Sequence, residues 1–167
     1  MKHQSTLTRT GLGQKAHRFV APDNTKPLVI AGIIFDDIPG FQSRSDGDVV
    51  FHALCNAISS LTGVQVLGEI AANLCLKDGI TDSEVYLKEA LKTLKGQKIT
   101  HVAISLEAKR PHFQEYLLKM RQKVAHALCL QTSQVGITAV SGAGLTDCGC
   151  GDGVHCLAII TTEEILS

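Results

Sequence analysis

The 167-residue sequence contains no tryptophan, and aromatic residues make up only 4% of it. Proteins that stack single-stranded bases depend on aromatic side chains, so this composition disfavours that class. The formal net charge is zero, because 16 Lys and Arg residues balance 16 Asp and Glu residues. A generally basic nucleic-acid binder is therefore disfavoured, although a local basic patch stays open. We predict no nucleic-acid partner.

Long apolar runs are also missing from the sequence. No apolar stretch reaches the roughly 20 residues that span a bilayer, and residues 1–10 are polar, without the apolar centre of a signal peptide. We expect a cytoplasmic protein with no membrane partner. The six cysteines should then be reduced thiols rather than a disulfide framework.

Apolar residues account for 44% of the chain, which is enough for one hydrophobic core. The alternation of strand-like and helix-like segments predicts a single α+β domain over residues 11–167, preceded by a flexible arm over residues 1–10. Strands are predicted over 28–35 (one strand or a pair around Gly32), 99–107, 135–140 and 154–161. Helices are predicted over 49–61, 67–76 (short, with a mobile loop), 81–94 and 113–130. Asp46 or Ser45 is the expected cap of the first helix, and Gly63 its stop.

Two histidines are candidates for metal binding. His17 is expected where a strand ends in a loop, and His52 lies on the first predicted helix. Imidazole nitrogens are common zinc ligands. No local spacing identifies a site, and a lone histidine is more often a surface or hydrogen-bonded core residue.

Three further segments each admit two interpretations. Ser45-Asp-Gly-Asp48 can cap a helix, or its free N–H groups can bind phosphate beside Arg44. Residues 109–112 (KRPH) form either a solvated basic turn or a phosphate or nucleotide pocket. Cys148-Gly-Cys150 lacks the spacing of a zinc or redox motif, which favours free thiols.

Taken in order, six segments resemble the motifs of the 2-C-methyl-D-erythritol 2,4-cyclodiphosphate synthase family: GLGQKAHRF, VIAGIIF, SDGDVVFHAL, LGEI, EAKRPHF and TAVSGAGLTDCGCGDGV. The resemblance covers about residues 9–162, and SDGDxxxHA is its most specific part. It implies a homotrimer of α+β subunits, each with a mixed β-sheet and helices on one face, and active sites between neighbouring subunits.

The resemblance also implies a reaction, the cyclisation of 4-diphosphocytidyl-2-C-methyl-D-erythritol 2-phosphate with release of CMP. This enzyme of the non-mevalonate isoprenoid pathway is a phosphorus–oxygen lyase. The substrate's own 2-phosphate attacks the β-phosphorus of the cytidine diphosphate, so no protein nucleophile is needed. Positioning the two groups within one molecule accelerates such an attack.

Site residues are carried over from the family motifs. His17 and His52 correspond to zinc ligands, Arg44 and Ser141 to catalytic phosphate-binding residues, and Glu69 to the acid that binds the erythritol hydroxyls. The residues that the resemblance places against substrate are Lys15, Ala16, His17, Arg44, Ser45, Glu69, Ala108, Lys109, Arg110, Pro111, His112, Phe113, Gln114, Val140, Ser141, Gly142 and Ala143.

Two departures from the family pattern affect the metal sites that the resemblance implies. Lys15 stands where the family has the third zinc ligand, an aspartate. Ala143 stands where the family has a glutamate that helps to hold magnesium or manganese. A lysine binds zinc only as a neutral amine, and deprotonating it at pH 7 costs roughly 4–5 kcal/mol. We therefore expect weak zinc binding or none. The alternative function is a silent homologue, natural or engineered, that binds cytidine nucleotide or isoprenoid diphosphate.

Overall fold

A four-stranded mixed β-sheet organises the chain, in a computed structural model that describes residues 5–166. The strand order is β1-β6-β4-β5, with β4 and β5 parallel and the other pairs antiparallel. The four strands of this sheet are β1 Thr6–Arg18, β4 Lys98–Glu107, β5 Val135–Val140 and β6 Gly153–Ile165. A separate hairpin is formed by β2 Pro27–Ile30 and β3 Ile33–Pro39.

Within the described residues, five α-helices accompany the strands: α1 Val49–Thr62, α2 Ala71–Asp78, α3 Ser83–Leu91, α4 Leu117–Ala127 and the four-residue α5 Asp147–Cys150. A π-helical turn, Val66–Ile70, precedes α2. Alternate residues of β4 and β6 enter the core on one face of the sheet, including Val102, Ile104 and Ile160. The predicted α+β class, with helices on one face of a mixed sheet, is confirmed.

Helix α1 lies unusually close to strand β1, because two glycines of that strand face it. A Cβ atom added to Gly13 would lie 2.1 Å from the carbonyl oxygen of Ala53, and one added to Gly11 would lie 2.3 Å from that of Ala57. Any side chain at these positions would push the helix away from the sheet. This close approach places the ends of β1 and α1 next to each other.

Several predicted boundaries are wrong. Residues 6–10, predicted as part of a flexible arm, belong to β1 because they pair with the end of β6; residues 1–4 lie outside the described residues. The cap of α1 is Asp48, not Asp46 or Ser45. Helix α4 begins only at Leu117, four residues later than predicted. The stop at Gly63 and the strand pair around Gly32 are confirmed.

In the part of the chain that the structure describes, no helix is both long enough and apolar enough to cross a membrane. All six cysteines are free thiols, as the sequence predicts.

Candidate active site

Two histidines from distant parts of the sequence meet where β1 ends and α1 begins. The ring centroids of His17 and His52 lie 5.7 Å apart. His17 Nε2 and His52 Nδ1 are both buried, and neither has a hydrogen-bond partner among residues 5–166. Buried polar atoms are nearly always satisfied in folded proteins, so this pair of nitrogens suits a bound group.

Both imidazoles are neutral at pH 7. Burial lowers the pKa of His52 to about 3, with smaller contributions from His17 and Lys15. Burial also lowers the pKa of His17 to about 4, assisted by the positive charges of Lys15 and Lys26 and opposed by Asp46. Neutral imidazole is the form that binds a metal ion.

A cavity of about 200 Å³ opens beside His52. Of the residues predicted from the sequence, it is lined by Lys15, Arg44, Ser45 and His52. Another wall is formed by Tyr86, by part of the π-helical turn (Leu67 and Gly68) and by part of α2 (Ala71, Ala72, Cys75 and Leu76). Two cationic side chains and a hydroxyl in one cavity suit an anionic phosphate ligand. Glu69 is exposed on the turn next to Gly68 and does not line the cavity, and Ala16 is exposed as well.

The side chain of Asp48 caps the N-terminus of α1. The fully buried Asp48 carboxylate accepts hydrogen bonds from the N–H groups of Val50 and Phe51. It also accepts bonds of 2.9 and 2.7 Å from the N–H groups of Ala31 and Gly32, which ties the helix to the β2–β3 hairpin. The capping interpretation of this segment is therefore correct, and phosphate binding beside Arg44 stays a prediction.

The metal-ligand set is smaller than the three protein ligands of a catalytic zinc site. Among residues 5–166, no three His, Cys, Asp or Glu side chains lie close enough together to hold a metal ion. His17 Nε2 and His52 Nδ1 fit as two nitrogen ligands because they are buried and unpartnered. The neighbouring Lys15 supplies a positive charge that acts on both histidines.

The remaining predicted residues form a second group, which begins where β4 ends at Glu107. The N–H of Ala108 donates to the carbonyl of Val140 at 3.0 Å, and that of Lys109 donates to the carbonyl of Cys148 at 3.0 Å. Ser141 and Ala143 line a groove of about 410 Å³ that also contains Glu107. The segments 108–114 and 140–143, both predicted to contact substrate, are therefore neighbours.

Further members of this second group differ in their exposure. Pro111, His112 and Gln114 line a separate groove of about 400 Å³, whereas Phe113 is buried in the core. The Arg110 guanidinium lies 5.0 Å from the centre of the Phe19 ring, and its Nε donates to the Gly151 carbonyl. The histidine cavity and the two grooves are separate. Within residues 5–166, neither groove shares a lining residue with the histidine cavity.

Sequence reasoning did not identify Ser43, Cys75 or Tyr86 as cavity residues, or Ser83 as a partner of His52. Ser83 falls at the start of the helix predicted over 81–94, and Asp82 provides its cap. The helical spacing of Tyr86 and Cys75 indicates only a core face, so no sequence signal separates them from packing residues.

A model of one known protein family matches nearly the whole chain. The family model described as "YgbB family" matches residues 8–163. The chain belongs to the YgbB family.

Two curated relatives of this chain share the same name. A 2-C-methyl-D-erythritol 2,4-cyclodiphosphate synthase of Chlamydia caviae is 55% identical over 159 residues, which cover 95% of this chain and 90% of the relative. The protein of the same name from Chlamydia trachomatis serovar D is 48% identical over 95% of this chain and 89% of its own length.

Two solved structures have a similar fold. The bifunctional IspDF of Campylobacter jejuni superposes with a TM-score of 0.85 at 26% identity, covering 96% of this chain and 43% of its own. A CDP complex of IspF from Plasmodium falciparum gives a TM-score of 0.81 at 21% identity, covering 95% and 97% of the two chains.

Proposed function

We propose that this protein is a 2-C-methyl-D-erythritol 2,4-cyclodiphosphate synthase, a phosphorus–oxygen lyase. The observation that carries the proposal is the cavity in which Lys15, Arg44 and Ser45 surround His52. Relatives of that name share up to 55% of its residues over nearly the whole chain, so the activity is proposed for the entire domain over residues 11–167.

The chemistry requires two phosphate groups of one substrate to meet. An oxygen of the 2-phosphate attacks the β-phosphorus, the bond from that phosphorus to the bridging oxygen breaks, and CMP leaves with the electron pair on its phosphate. No water is consumed and no protein nucleophile takes part. The protein must hold both groups in line and balance the negative charge that collects on them.

Lys15 and Arg44 supply the positive charges for this task, and Ser45 adds a hydroxyl. The pocket wall around Leu67, Leu76 and Tyr86 excludes water from one side, which strengthens those electrostatic interactions. Glu69, exposed beside this wall, is the proposed acceptor for the erythritol hydroxyls. A metal ion held by His17 and His52 would add Lewis acidity toward the phosphate; zinc is proposed there, and magnesium or manganese near Ala143.

The second group of residues is proposed to bind cytidine and the diphosphate. Backbone groups over 108–114 suit recognition of the base, and Ser141 is proposed to assist the transferred phosphate. Because these residues lie apart from the histidine cavity on one chain, we propose that a site joins the two groups from adjoining copies in a homotrimer.

The outer face of the sheet supports the homotrimer proposal. It exposes apolar side chains without a cover, including Leu12 at 56% and Ile159 at 37% relative exposure. A neighbouring groove is lined by Ala103, Ile137 and Leu157. Light scattering at micromolar concentration should give the mass of three chains, and a monomer would contradict the proposal. A cytoplasmic location is proposed as well, since six free thiols suit a reducing compartment.

The function is tested by incubating the protein with the diphosphocytidyl substrate and measuring CMP and cyclic diphosphate by chromatography and phosphorus NMR. Arg44→Ala should lower kcat/KM about 100-fold. The matched control is Arg9→Ala, since Arg9 pairs with Glu164 on the surface at 3.6 Å. CDP binding without CMP release, with or without added metal, would support the silent homologue instead.

A further inference from the structure

Ser83 connects the histidine cavity to a carboxylate outside it. This residue is fully buried at the start of α3. Its hydroxyl oxygen lies 2.9 Å from His52 Nε2 and forms a short hydrogen bond to Asp46 Oδ1. The Ser83 N–H also donates to Asp46 Oδ2 at 3.1 Å, so the serine is held to the carboxylate at two points.

The proton positions in this chain follow from what each group can donate. An ionised carboxylate only accepts hydrogen bonds, and Asp46 Oδ1 already accepts one from the Asp48 N–H. The single hydroxyl proton of Ser83 must therefore point to Asp46. Ser83 Oγ then faces His52 with a lone pair, and only a protonated Nε2 can complete that contact.

We propose that the Asp46–Ser83 pair fixes the tautomer of His52, so that Nε2 carries the proton and Nδ1 presents its lone pair to the cavity. Asp46 and Ser83 are thus positioning residues rather than catalytic ones. The inference deepens the proposed function and rests on it, because a lone pair at Nδ1 is what a divalent cation needs. Nδ1 is also the nitrogen that is buried and unpartnered.

The same logic excludes the opposite arrangement. If Nδ1 carried the proton, Nε2 and Ser83 Oγ would face each other with lone pairs 2.9 Å apart, unless the hydroxyl left Asp46. That exchange would give up a charge-assisted hydrogen bond for a neutral one. The carboxylate–hydroxyl–imidazole chain therefore prepares the ligand nitrogen before any metal arrives, as outer-shell partners of metal-binding histidines do.

The tautomer can be measured in metal-free, substrate-free protein by long-range proton–nitrogen NMR of the imidazoles at pH 7. His52 should show a protonated, pyrrole-like Nε2 and an unprotonated, pyridine-like Nδ1. In Ser83→Ala, His52 should become a mixture of both tautomers. The control is Thr162→Val, which also removes a fully buried hydroxyl. That hydroxyl donates to Gln97 Oε1 at 2.8 Å and does not contact either histidine. It should leave the His52 signals unchanged.

A second readout is calorimetric titration with Zn²⁺ alone in a Lys15→Asp background, which supplies a third ligand so that zinc binding can be measured. Ser83→Ala should weaken zinc binding by about 10–100-fold, as loss of an outer-shell partner does, whereas Thr162→Val should not. A protonated Nδ1 in the unaltered protein, or a pure Nε2–H tautomer in Ser83→Ala, would overturn the inference. Because the unaltered protein alone gives the first result, a poorly folded variant does not remove the test. If His52 shows the expected tautomer but the protein does not release CMP, the proposed function is contradicted and the inference about the tautomer stands.

Discussion

The ammonium group of Lys26 donates a hydrogen bond of 2.6 Å to the carbonyl oxygen of Ser45. The same group donates to the carbonyls of Phe41 at 2.8 Å and Ser43 at 2.6 Å. One side chain just before β2 therefore satisfies three carbonyls of the loop that carries Arg44. Burial lowers the pKa of Lys26, while the nearby Asp46 opposes that shift.

Lys26→Met should destabilise this loop, because three carbonyls lose a charged donor. Hydrogen bonds to charged groups contribute about 1.5–3 kcal/mol, so we expect the free energy of unfolding to fall by about 2 kcal/mol. Urea unfolding measures this loss, and CMP release should fall with it because Arg44 is displaced. Lys26→Arg, which keeps the charge, should lose less. Equal stability of Lys26→Met and the parent would show that the loop does not depend on these bonds.

Gly13→Ala should separate the two histidines. The new Cβ atom would lie 2.1 Å from the Ala53 carbonyl oxygen, a backbone atom that cannot turn aside. We expect destabilisation of about 3 kcal/mol, at the upper end for overpacking, seen as a lower Tm. Gly136→Ala is the matched control, since its Cβ would lie 3.9 Å from its nearest neighbour. A parental Tm in Gly13→Ala would mean that α1 and β1 can move apart at little cost.

Acid should reduce the contribution of His52 to stability. Its pKa is lowered from 6.5 to about 3 in the fold, so below pH 6.5 the unfolded chain binds a proton that the folded chain does not. The contribution is therefore present above pH 6.5 and is lost as the pH falls toward 3, by at most about 1.4 kcal/mol per pH unit.

Urea unfolding of the parent and of His52→Gln at pH 7, 6 and 5 isolates this effect. The difference in free energy of unfolding between the two proteins should shrink as the pH falls. Asp48, whose pKa burial raises to about 7, stabilises the fold increasingly as the pH falls toward 4, but it is present in both proteins and cancels. A difference that stays constant over this range would show that His52 titrates normally.

Lys15→Asp should restore a third zinc ligand and remove a positive charge that faces both histidines. Purified, unchelated protein should then rise from well below one zinc per chain to about one, the occupancy of a three-ligand catalytic site. Lys15→Met, which only removes the charge, should give an intermediate value. CMP release should increase with zinc, and further when Ala143→Glu is added. If the parent already carries one zinc and Lys15→Asp changes neither zinc nor rate, Lys15 does not limit the site.

Local patterns predicted α1 well, because its apolar spacing and the left-handed Gly63 are properties of a short segment. The same patterns misplaced the cap of α1, because Ser45, Asp46 and Asp48 are all good capping residues. What selects Asp48 is its contact with the N–H groups of Ala31 and Gly32 on a distant hairpin. The start of β1 was missed for a similar reason: residues 6–10 are polar and become a strand only by pairing with β6.

The candidate site shows the same limit. His17 and His52 could be named from the family resemblance, but their proximity depends on the glycines that bring β1 against α1. Ser83 was interpreted only as part of a helix start, because its partners His52 and Asp46 belong to another part of the sequence. Tertiary hydrogen bonds of this kind leave no periodic signal.

The two residue groups line different cavities, so two inactive variants of this chain are expected to complement each other. If each site joins the histidine cavity of one copy to the Ser141 groove of the next, His52→Ala and Ser141→Ala damage opposite halves of it. Co-expression of these two inactive chains should then restore CMP release, because some mixed assemblies pair two intact halves. A chain that carries both substitutions can instead be mixed with the unaltered chain. In these assemblies some sites should have two altered halves, and others should have two intact halves.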